Sequence, residues 1–304
     1  MQPAFRRVAL VGKQTPEIAQ SLRALRDFLR QRGCEVMLEQ ETAASVGANG
    51  TVAGFEEIGR DADLAIVVGG DGTMLHAARS VIPHVVPVLG VNMGRLGFLA
   101  ELSPAELMQR LPDVLDGRCR IEERTMLQAQ VPALESPYHG LNDVVVGRIH
   151  VGRPIYVEVS LDGARIAVHR CDAVIVATAT GSTAYSMSAG GPILHPESRE
   201  LLLTPVAPHL AAARPLVLPP DTTINLRMSA DDEAIVSVDG QMDRPLGGGQ
   251  SVTVCHSPHV ARFVRFSTPQ GYYEMIAHRL DWLRVIQASD HPELFDLNGI
   301  PTPK

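Results

Sequence analysis

The chain has 304 residues, of which 45% are hydrophobic and 20% charged, and its formal net charge is −7. This composition is that of a globular protein with one large core or two ordinary ones. The negative charge argues against nucleic-acid or anionic-membrane binding, although a nucleotide can still be held by backbone N–H groups and a few arginines. No apolar run reaches the roughly 18–20 residues of a membrane-spanning helix, and the N-terminus is typical of a strand rather than a signal peptide.

Four cysteines, Cys34, Cys119, Cys171 and Cys255, are scattered along the chain without a CxxC pair. We therefore expect reduced, mostly buried thiols and a cytoplasmic location. The histidines form no HExxH motif, so the sequence does not support a zinc site.

Predicted strands and helices alternate in the first third of the chain. The apolar spacing predicts a helix over Pro16–Arg32, with Thr15 as N-cap and Gly33 just past its end. The nearly all-apolar run Asp63–Val68 is typical of a strand buried on both faces of a parallel sheet. The remaining predicted elements are strands at Arg7–Val11, Glu35–Leu38 and Val86–Val91, and helices at Met74–Val81 and Pro104–Leu115, the last capped by Ser103. This alternation indicates an open α/β layer with a mostly parallel sheet.

After about residue 118, short β-like runs separated by turn residues favour an all-β, sandwich-like domain. The sequence Leu161-Asp162-Gly163-Ala164 is typical of a hairpin turn. The predicted strands are Arg124–Val131, Asp143–Val146, Ile155–Leu161, Ala173–Ala177, Thr223–Met228, Ala234–Val238, Ser251–Cys255 and Arg262–Phe266. We therefore predict an α/β domain over residues 1–118 and a β-rich domain over 119–271. A helix is predicted at Tyr272–Ile286, in a segment (272–290) that we expect to pack back on the first domain.

The strongest chemical pattern is the turn Gly69-Gly70-Asp71-Gly72-Thr73, between a buried strand and a helix. Glycines let a backbone approach a ligand closely, and a helix N-terminus offers unpaired N–H groups to a phosphate. A carboxylate repels phosphate, so Asp71 implies metal binding, a hydroxyl contact or base catalysis. The alternative is a plain turn in which Asp71 is the N-cap. The pattern is neither a Walker loop nor a Rossmann fingerprint.

Three further clusters each have a functional and a structural interpretation. The glycine-rich run 90–97 is either a phosphate-covering loop or a structural one. The run 178–192 combines hydroxyl residues, glycines and a tyrosine, which suits the base and sugar of a nucleotide, or is simply a Ser/Thr-rich loop. Asn142-Asp143 is either a ribose clamp or a turn.

Four motifs together resemble the NAD kinase family in order and approximate spacing. They are Gly69–Thr73, Leu141–Val146, Thr180–Tyr185 with Ser188–Ile193 after it, and Val238-Asp239-Gly240-Gln241. The GGDGT turn alone is shared with diacylglycerol-type lipid kinases and, as GGDGS, with phosphofructokinases, whereas the four motifs together are much more specific. The resemblance extends from roughly residue 5 to 285.

The resemblance implies an N-terminal α/β domain and a C-terminal β-domain. It also implies transfer of the ATP γ-phosphoryl group to the 2′-hydroxyl of the adenosine ribose of NAD, with a divalent metal cation such as Mg²⁺ and assembly into a homodimer or homotetramer. Asp71 is implied as the catalytic base, Asn142 and Asp143 as the ribose-holding pair, and Asp172 as a contact to the nicotinamide end. Further NAD contacts are implied at Gly72, Arg153, Arg170, Thr183, Ala184, Tyr185, Ser186, Met187, Ser188, Ala207 and Gln241, and ATP phosphate contacts at Gly69, Gly70, Thr73, Gly94 and Arg95; the metal ligands stay open.

Two positions depart from the family pattern. Ala179 replaces a proline that many members carry, which removes a φ restraint. Arg95 stands where many bacterial members have Asn or His, and it would add a phosphate contact. Two rival functions remain: a lipid kinase, which would need a basic or amphipathic membrane face, and a nucleotide-binding regulator, which would not need Asp71.

Overall fold

Five parallel strands form the N-terminal part of the fold, in the order β5-β4-β1-β2-β3. The computed structural model describes residues 4–47, 50–84, 86–94, 97–132, 134–150, 152–209, 213–269 and 271–280. The strands are β1 (Arg7–Gly12), β2 (Glu35–Glu39), β3 (Thr51–Ala53), β4 (Leu64–Val68) and β5 (Val88–Val91), and the helices are α1 (Pro16–Gln31), α2 (Gln40–Val46), α3 (Phe55–Asp61), α4 (Asp71–Ser80) and α5 (Pro104–Leu115). Every residue of β4 and β5 is buried, as expected for central strands covered on both faces.

Antiparallel strands dominate the rest of the chain. They are β6 (Arg120–Gln130), β7 (Tyr138–Gly140), β8 (Asp143–Arg148), β9 (Ile155–Leu161), β10 (Ala164–Cys171), β11 (Ala173–Ala177), β12 (Leu201–Val206), β13 (Leu216–Leu218), β14 (Ile224–Met228), β15 (Ala234–Val238), β16 (Met242–Leu246) and β17 (Ser251–Arg265). A 3-10 turn at Gly181–Thr183 and the short helix α6 (Tyr185–Ser188) follow β11. A last helix, α7 (Gly271–Arg279), belongs to a separate compact unit, residues 266–304, whereas residues 1–265 form the other.

The long strand β17 links the two kinds of sheet. It pairs with β5 in parallel through Phe263 and Val88, and with β6 and β14 in antiparallel fashion. The parallel sheet therefore continues through β17 into β14, β9 and β10, giving eleven strands in all among the described residues. A second sheet of six strands has the order β13-β12-β11-β8-β15-β16.

The hydrophobic core of the C-terminal part lies between these two sheets. Its buried side chains alternate along strands of both, as in Val144 and Val146 of β8 and Val157 and Val159 of β9. This is the sandwich predicted from the spacing of short strands. The fold is thus an N-terminal α/β domain with a mostly parallel sheet and a C-terminal antiparallel sandwich, as predicted.

Most predicted elements are confirmed, with a few shifted bounds. The helix predicted at Met74–Val81 begins three residues earlier, with Gly70 as N-cap, so the interpretation of Asp71 as an N-cap is wrong. Two runs predicted as separate strands, Ser251–Cys255 and Arg262–Phe266, fall on the single strand β17, which ends at Arg265. An irregularity between His256 and Val260 accommodates the intervening residues without ending the pairing of β17 with β6.

Several elements were not predicted: β3, β7, β10, β12, β13, β16, α2 and α3. The predicted hairpin turn is confirmed, since Asp162 and Gly163 both have positive φ and join β9 to β10. Of the helix predicted at Tyr272–Ile286, residues beyond 280 lie outside the described part of the chain. No helix among the described residues is long and apolar enough to cross a membrane.

Candidate active site

Asp71 is the first residue of α4, and Gly69 and Gly70 separate it from the end of the buried strand β4. Its carboxylate accepts hydrogen bonds from the backbone N–H groups of Phe98 (2.7 Å) and Leu99 (3.2 Å). Gly70 and Gly72 on either side are exposed. Residues 98 and 99 therefore hold the carboxylate by hydrogen bonds, and the backbone on either side of Asp71 is accessible to a ligand.

Gly97 makes this arrangement possible. A Cβ atom at this position would collide with the carboxyl group of Asp71. Gly69 and Gly90 are also tightly packed, since added Cβ atoms would lie 2.7 Å from Thr73 Oγ1 and from Met74 Sδ respectively. Gly69, Gly97 and Gly90 of β5 thus permit close packing of α4 against its neighbours.

Two of the residues predicted to contact phosphate use their N–H groups inside the protein. The N–H of Gly69 donates to the carbonyl of Val91, and that of Gly94 to Asn92 Oδ1. In α4 the N–H of Thr73 already donates to the carbonyl of Gly70 (3.0 Å), so the N–H groups of Asp71 and Gly72, which precede it, are the donors that this turn offers to an anion. Arg95 lies outside the described residues.

A residue without a role in the sequence analysis, Asp239, organises the Asn142-Asp143 pair. Its carboxylate accepts three backbone N–H bonds: from Leu141 (2.8 Å), Asn142 (2.8 Å) and Asp143 (3.1 Å). It occupies the left-handed region (φ 53°) in the turn that joins β15 to β16. Burial raises its pKa, and the three N–H donors together with Arg79 oppose that rise. The Asp239-Gly240 pair after a predicted strand is a hairpin pattern that was available in the sequence.

Arg79 and Gln241 connect this turn to the helix that begins with Asp71. Arg79 lies 3.7 Å from the Asp239 carboxylate, donates to Gln241 Oε1 at 2.5 Å and stacks on the ring of Tyr138. Gln241 in turn donates to the carbonyl of Gly72 (3.3 Å). Gln241, predicted to touch NAD, therefore also joins α4 to the turn that holds the Asn142-Asp143 pair.

The carboxyl group of Asp143, next to Asp239, also has a perturbed pKa. Burial and, second, the charge of Asp239 raise its pKa to about 7. A buried carboxyl group whose pKa is raised by burial and by a specific charged neighbour is typical of a functional site.

The run 178–183 packs directly on Asn142. The Thr178 hydroxyl donates to the carbonyl of Leu141 (2.6 Å), and the Thr178 N–H to the carbonyl of Asn142 (2.9 Å). A Cβ atom on Gly181 would collide with the Asn142 carbonyl, which explains the glycine. The structure thus brings the Asn142-Asp143 pair and the run 178–183 together, although they are separated in the sequence.

The predicted NAD contacts at 183–188 form the end of the 3-10 turn and α6. Tyr185 is 46% exposed and presents a ring for stacking. Ser186, in contrast, is fully buried, and its hydroxyl forms a hydrogen bond with the hydroxyl of Thr204 (3.0 Å). Thr183, Ala184, Met187 and Ser188 are partly or fully exposed.

Four other predicted contacts lie elsewhere. Asp172 precedes β11 and pairs with Arg148 (3.0 Å), and its N–H donates to Val206, next to the exposed Ala207. Arg170 stacks on Tyr156, and the carbonyl of Arg170 accepts from His209. Arg153 lines a cavity with Arg148 and the acidic turn 231–233. At about 3.3 Å per residue, β11 places Asp172 about 20 Å from Thr178.

Comparison with known proteins decides the family. Residues 8–119 match the ATP-NAD kinase N-terminal domain, and residues 141–266 match the ATP-NAD kinase C-terminal domain. The chain belongs to the NAD kinase family. It is 44% identical to the NAD kinase of Azoarcus sp. over 94% of this chain and 99% of that protein, and 41% identical to that of Bordetella pertussis over 94% and 98%. As an NAD kinase it phosphorylates NAD to NADP.

Solved structures agree with this assignment. A yeast NADH kinase complexed with NADH superposes with a TM-score of 0.81 at 25% identity, covering 98% of this chain and 91% of that chain. An NAD kinase from Archaeoglobus fulgidus in complex with ATP gives 0.72 at 27% identity, with 89% and 97% covered. The fold and the family predicted from the four motifs are therefore confirmed.

Proposed function

We propose that Asp71 is the general base, accepting the proton of the 2′-hydroxyl of the adenosine ribose of NAD as the γ-phosphoryl group of ATP is transferred to that oxygen. The observation that carries this proposal is the fixed carboxylate of Asp71 at an open, glycine-flanked helix N-terminus. The contacts of Gln241 and Arg79 join this helix to the turn that holds Asn142 and Asp143.

Within this proposal, positioning contributes most of the rate. Phosphoryl transfer passes through a loose transition state, so holding the hydroxyl in line with the phosphoryl group does most of the work. Positioning supplies on the order of 7–11 kcal/mol, and a general base adds about 10²–10⁴-fold. Asp71 accepts two N–H bonds and keeps further lone pairs for a ribose hydroxyl.

The Asn142-Asp143 pair would hold a ribose of NAD, and the residues 183–188 would line its base and sugar. The exposed ring of Tyr185 suits stacking, whereas the buried Ser186 would act through the packing of α6 on Thr204. The N-terminus of α4 with Gly70 and Thr73, together with Arg95, would receive the phosphates of ATP, whereas Gly69 and Gly94, whose N–H groups have partners within the protein, would only shape the two turns.

A divalent cation, Mg²⁺, fits this site as a partner of ATP. The described residues contain no group of three or more His, Cys, Asp or Glu side chains able to hold a metal ion by themselves. Mg²⁺ in kinases is commonly held by one or two carboxylates plus the substrate phosphates, and Asp71 is the carboxylate available here. When bound, the cation neutralises charge on the phosphates.

We expect the protein to act as a homodimer or homotetramer. Asp172 and Arg170 lie at the opposite end of β11 from Thr178, so a second subunit would supply this group to the NAD held by the first. Sedimentation at assay concentration should give at least a dimer, and an active monomer would contradict this expectation.

We also propose the two-domain division near residue 118 and a cytoplasmic location. The free cysteines support the cytoplasmic location.

The test of the function is mass spectrometry of NAD incubated with ATP, Mg²⁺ and the protein. We expect a product heavier by one phosphoryl group, attached at the 2′ position of the adenosine ribose. A phosphate at any other position, or none, would contradict the proposal. Diacylglycerol offered beside NAD serves as the control substrate and should remain unmodified.

The raised pKa of Asp143 predicts a pH dependence of NAD binding. A ribose hydroxyl donates to an ionised carboxylate, so NAD should bind more tightly as the pH rises through about 7. From about pH 6 to about pH 8 the ionised fraction grows roughly tenfold, and the dissociation constant should fall by about 5–10-fold. Calorimetry checks this, and the dependence should vanish in Asp143→Asn.

The same shift predicts a stability change of opposite sign. A carboxyl group whose pKa is raised on folding stabilises the folded state below its unfolded pKa, near 3.9, and loses that contribution as the pH rises through the folded value of about 7. Without NAD, wild-type protein should therefore lose stability relative to Asp143→Asn between about pH 4 and pH 8. Equal pH profiles of thermal unfolding would contradict the raised pKa.

A further inference from the structure

A cluster of buried charges lies on the paired strands β6 and β17. Glu122, Arg124 and Arg265 are each only 4% exposed. One oxygen of Glu122 accepts from Arg124 Nε (2.8 Å) and Arg265 Nε (3.0 Å), and the other from Arg120 (2.9 Å). Burial favours the neutral acid, but Arg124 and Arg265 outweigh it and lower the pKa of Glu122 to about 2.

The other end of Arg265 reaches the loop that holds Asp71. Its Nη1 donates to the carbonyl of Leu99 (2.9 Å) and contacts Glu101 Oε2 (3.2 Å). The N–H of the same Leu99 donates to Asp71 Oδ1, and the neighbouring Phe98 N–H donates to Oδ2. The carbonyl of Leu99 therefore accepts a hydrogen bond from Arg265, and the N–H of Leu99 donates one to Asp71.

Arg124 reaches the second loop of the site. Its Nη1 donates to the hydroxyl of Thr180 (3.3 Å), in the turn that packs on Asn142. Both guanidinium groups lie against the ring of Phe263, at 5.5 Å and 5.3 Å from its centre. One carboxylate, Glu122, therefore anchors two arginines that point to the two loops of the site.

Stability alone does not account for such a cluster. Removing several charges from water costs free energy, and well-packed apolar residues in place of a buried ion pair are often neutral or stabilising. What the charges add is a fixed geometry, because a guanidinium group donates in a rigid fork.

We infer that Arg265, anchored by Glu122, is a positioning residue for the phosphoryl transfer: it fixes the backbone of residues 98–99 and, through their N–H groups, the carboxylate of Asp71. The inference rests on the proposed role of Asp71. Arg265 is buried and reaches Asp71 through the backbone of Leu99, so its loss should change turnover rather than substrate binding.

The test is Arg265→Lys, alone and combined with Asp71→Asn. Lysine keeps the charge beside Glu122 but lacks the fork that also reaches the carbonyl of Leu99. We expect kcat to fall about tenfold or more, with the KM values for NAD and ATP within about twofold. In the Asp71→Asn background the same change should lower kcat by less than about twofold, because its effect passes through Asp71.

The matched control is Arg262→Lys. Arg262 is also on β17 and pairs with Glu123 of β6, but its side chain is 42% exposed. It should keep wild-type kcat. If Arg265→Lys does not fold, Glu101→Gln removes the charge that Arg265 meets beside Leu99, and we expect a loss of a few-fold in kcat that is likewise absent with Asp71→Asn.

The outcomes separate the two claims. Wild-type turnover in Asp71→Asn would overturn the proposed base itself. A strong loss in Asp71→Asn with an undiminished further loss from Arg265→Lys, or with a loss confined to KM, would overturn only the positioning role of Arg265. Wild-type kcat in Arg265→Lys would likewise overturn only the positioning role of Arg265.

Discussion

Asp71→Asn should lower kcat by at least about 100-fold while NAD binding is largely kept. Asparagine has nearly the same shape, and its side-chain oxygen can still accept from the N–H of Phe98 or Leu99. It cannot take up a proton from the ribose hydroxyl, and a general base contributes about 10²–10⁴-fold. Steady-state rates and calorimetric NAD binding measure the two quantities separately.

Asp27→Asn is the matched control for this substitution. Asp27 lies on α1 with an exposed side chain and pairs with the neighbouring Arg26, its one ion-pair partner among the described residues. Its kcat should stay within about twofold of wild type, since the pair is local to α1 and includes no residue of the candidate site. If Asp71→Asn also turns over at the wild-type rate, Asp71 is not the base.

The alternating part of the fold was predictable because its local patterns agree with its tertiary role. The capping box that Ser103 forms with Glu106 fixes the start of α5 at the expected residue. The fully apolar run of β4 has the pattern of a strand buried on both faces. Here a few residues determine the local structure, and distant contacts reinforce it.

The unpredicted strands depend on distant partners instead. In β10 the burial pattern shows mostly exposed side chains, so hydrophobic alternation does not mark it, and it is defined by the hairpin with β9. The Val-Leu run of β13 is only three residues long and pairs with β12. The separation of β17 into two predicted strands has the same origin, since pairing with β6 carries it through the irregularity after His256.

The candidate site likewise contains residues that the sequence pattern reveals and residues that it does not. Glycine-flanked Asp71 and the Asn142-Asp143 pair stand out in the sequence as unusual polar residues beside apolar strands. Asp239, which binds the backbone of Asn142, and Arg265, which binds the carbonyl of Leu99, are more than 90 positions away from these partners in the chain. No spacing rule joins positions so far apart, and only the folded contacts reveal them.

Gly97→Ala should be nearly as damaging to turnover as Asp71→Asn. The added methyl group would occupy the space of the Asp71 carboxyl group. Since that group is the end of a side chain, it can rotate away, so we expect the protein to fold. The rotated carboxylate loses its N–H donors and its position, and a misplacement of about 1 Å can cost about 10²-fold in rate.

Gly147→Ala is the control for the glycine change. Gly147 is buried in β8, yet a Cβ atom there would meet only Ala173 Cβ at 3.6 Å and more distant atoms, all at ordinary contact distances. The kcat of Gly147→Ala should match that of wild type.

For Gly97→Ala we expect a loss of about 100-fold in kcat with an unfolding temperature within a few degrees of wild type. A Gly97→Ala enzyme with wild-type kcat would mean that the reaction does not need the carboxylate where the N–H groups of Phe98 and Leu99 hold it. Combined with Asp71→Asn, the change should add little, because both substitutions remove the same proton acceptor from the same place.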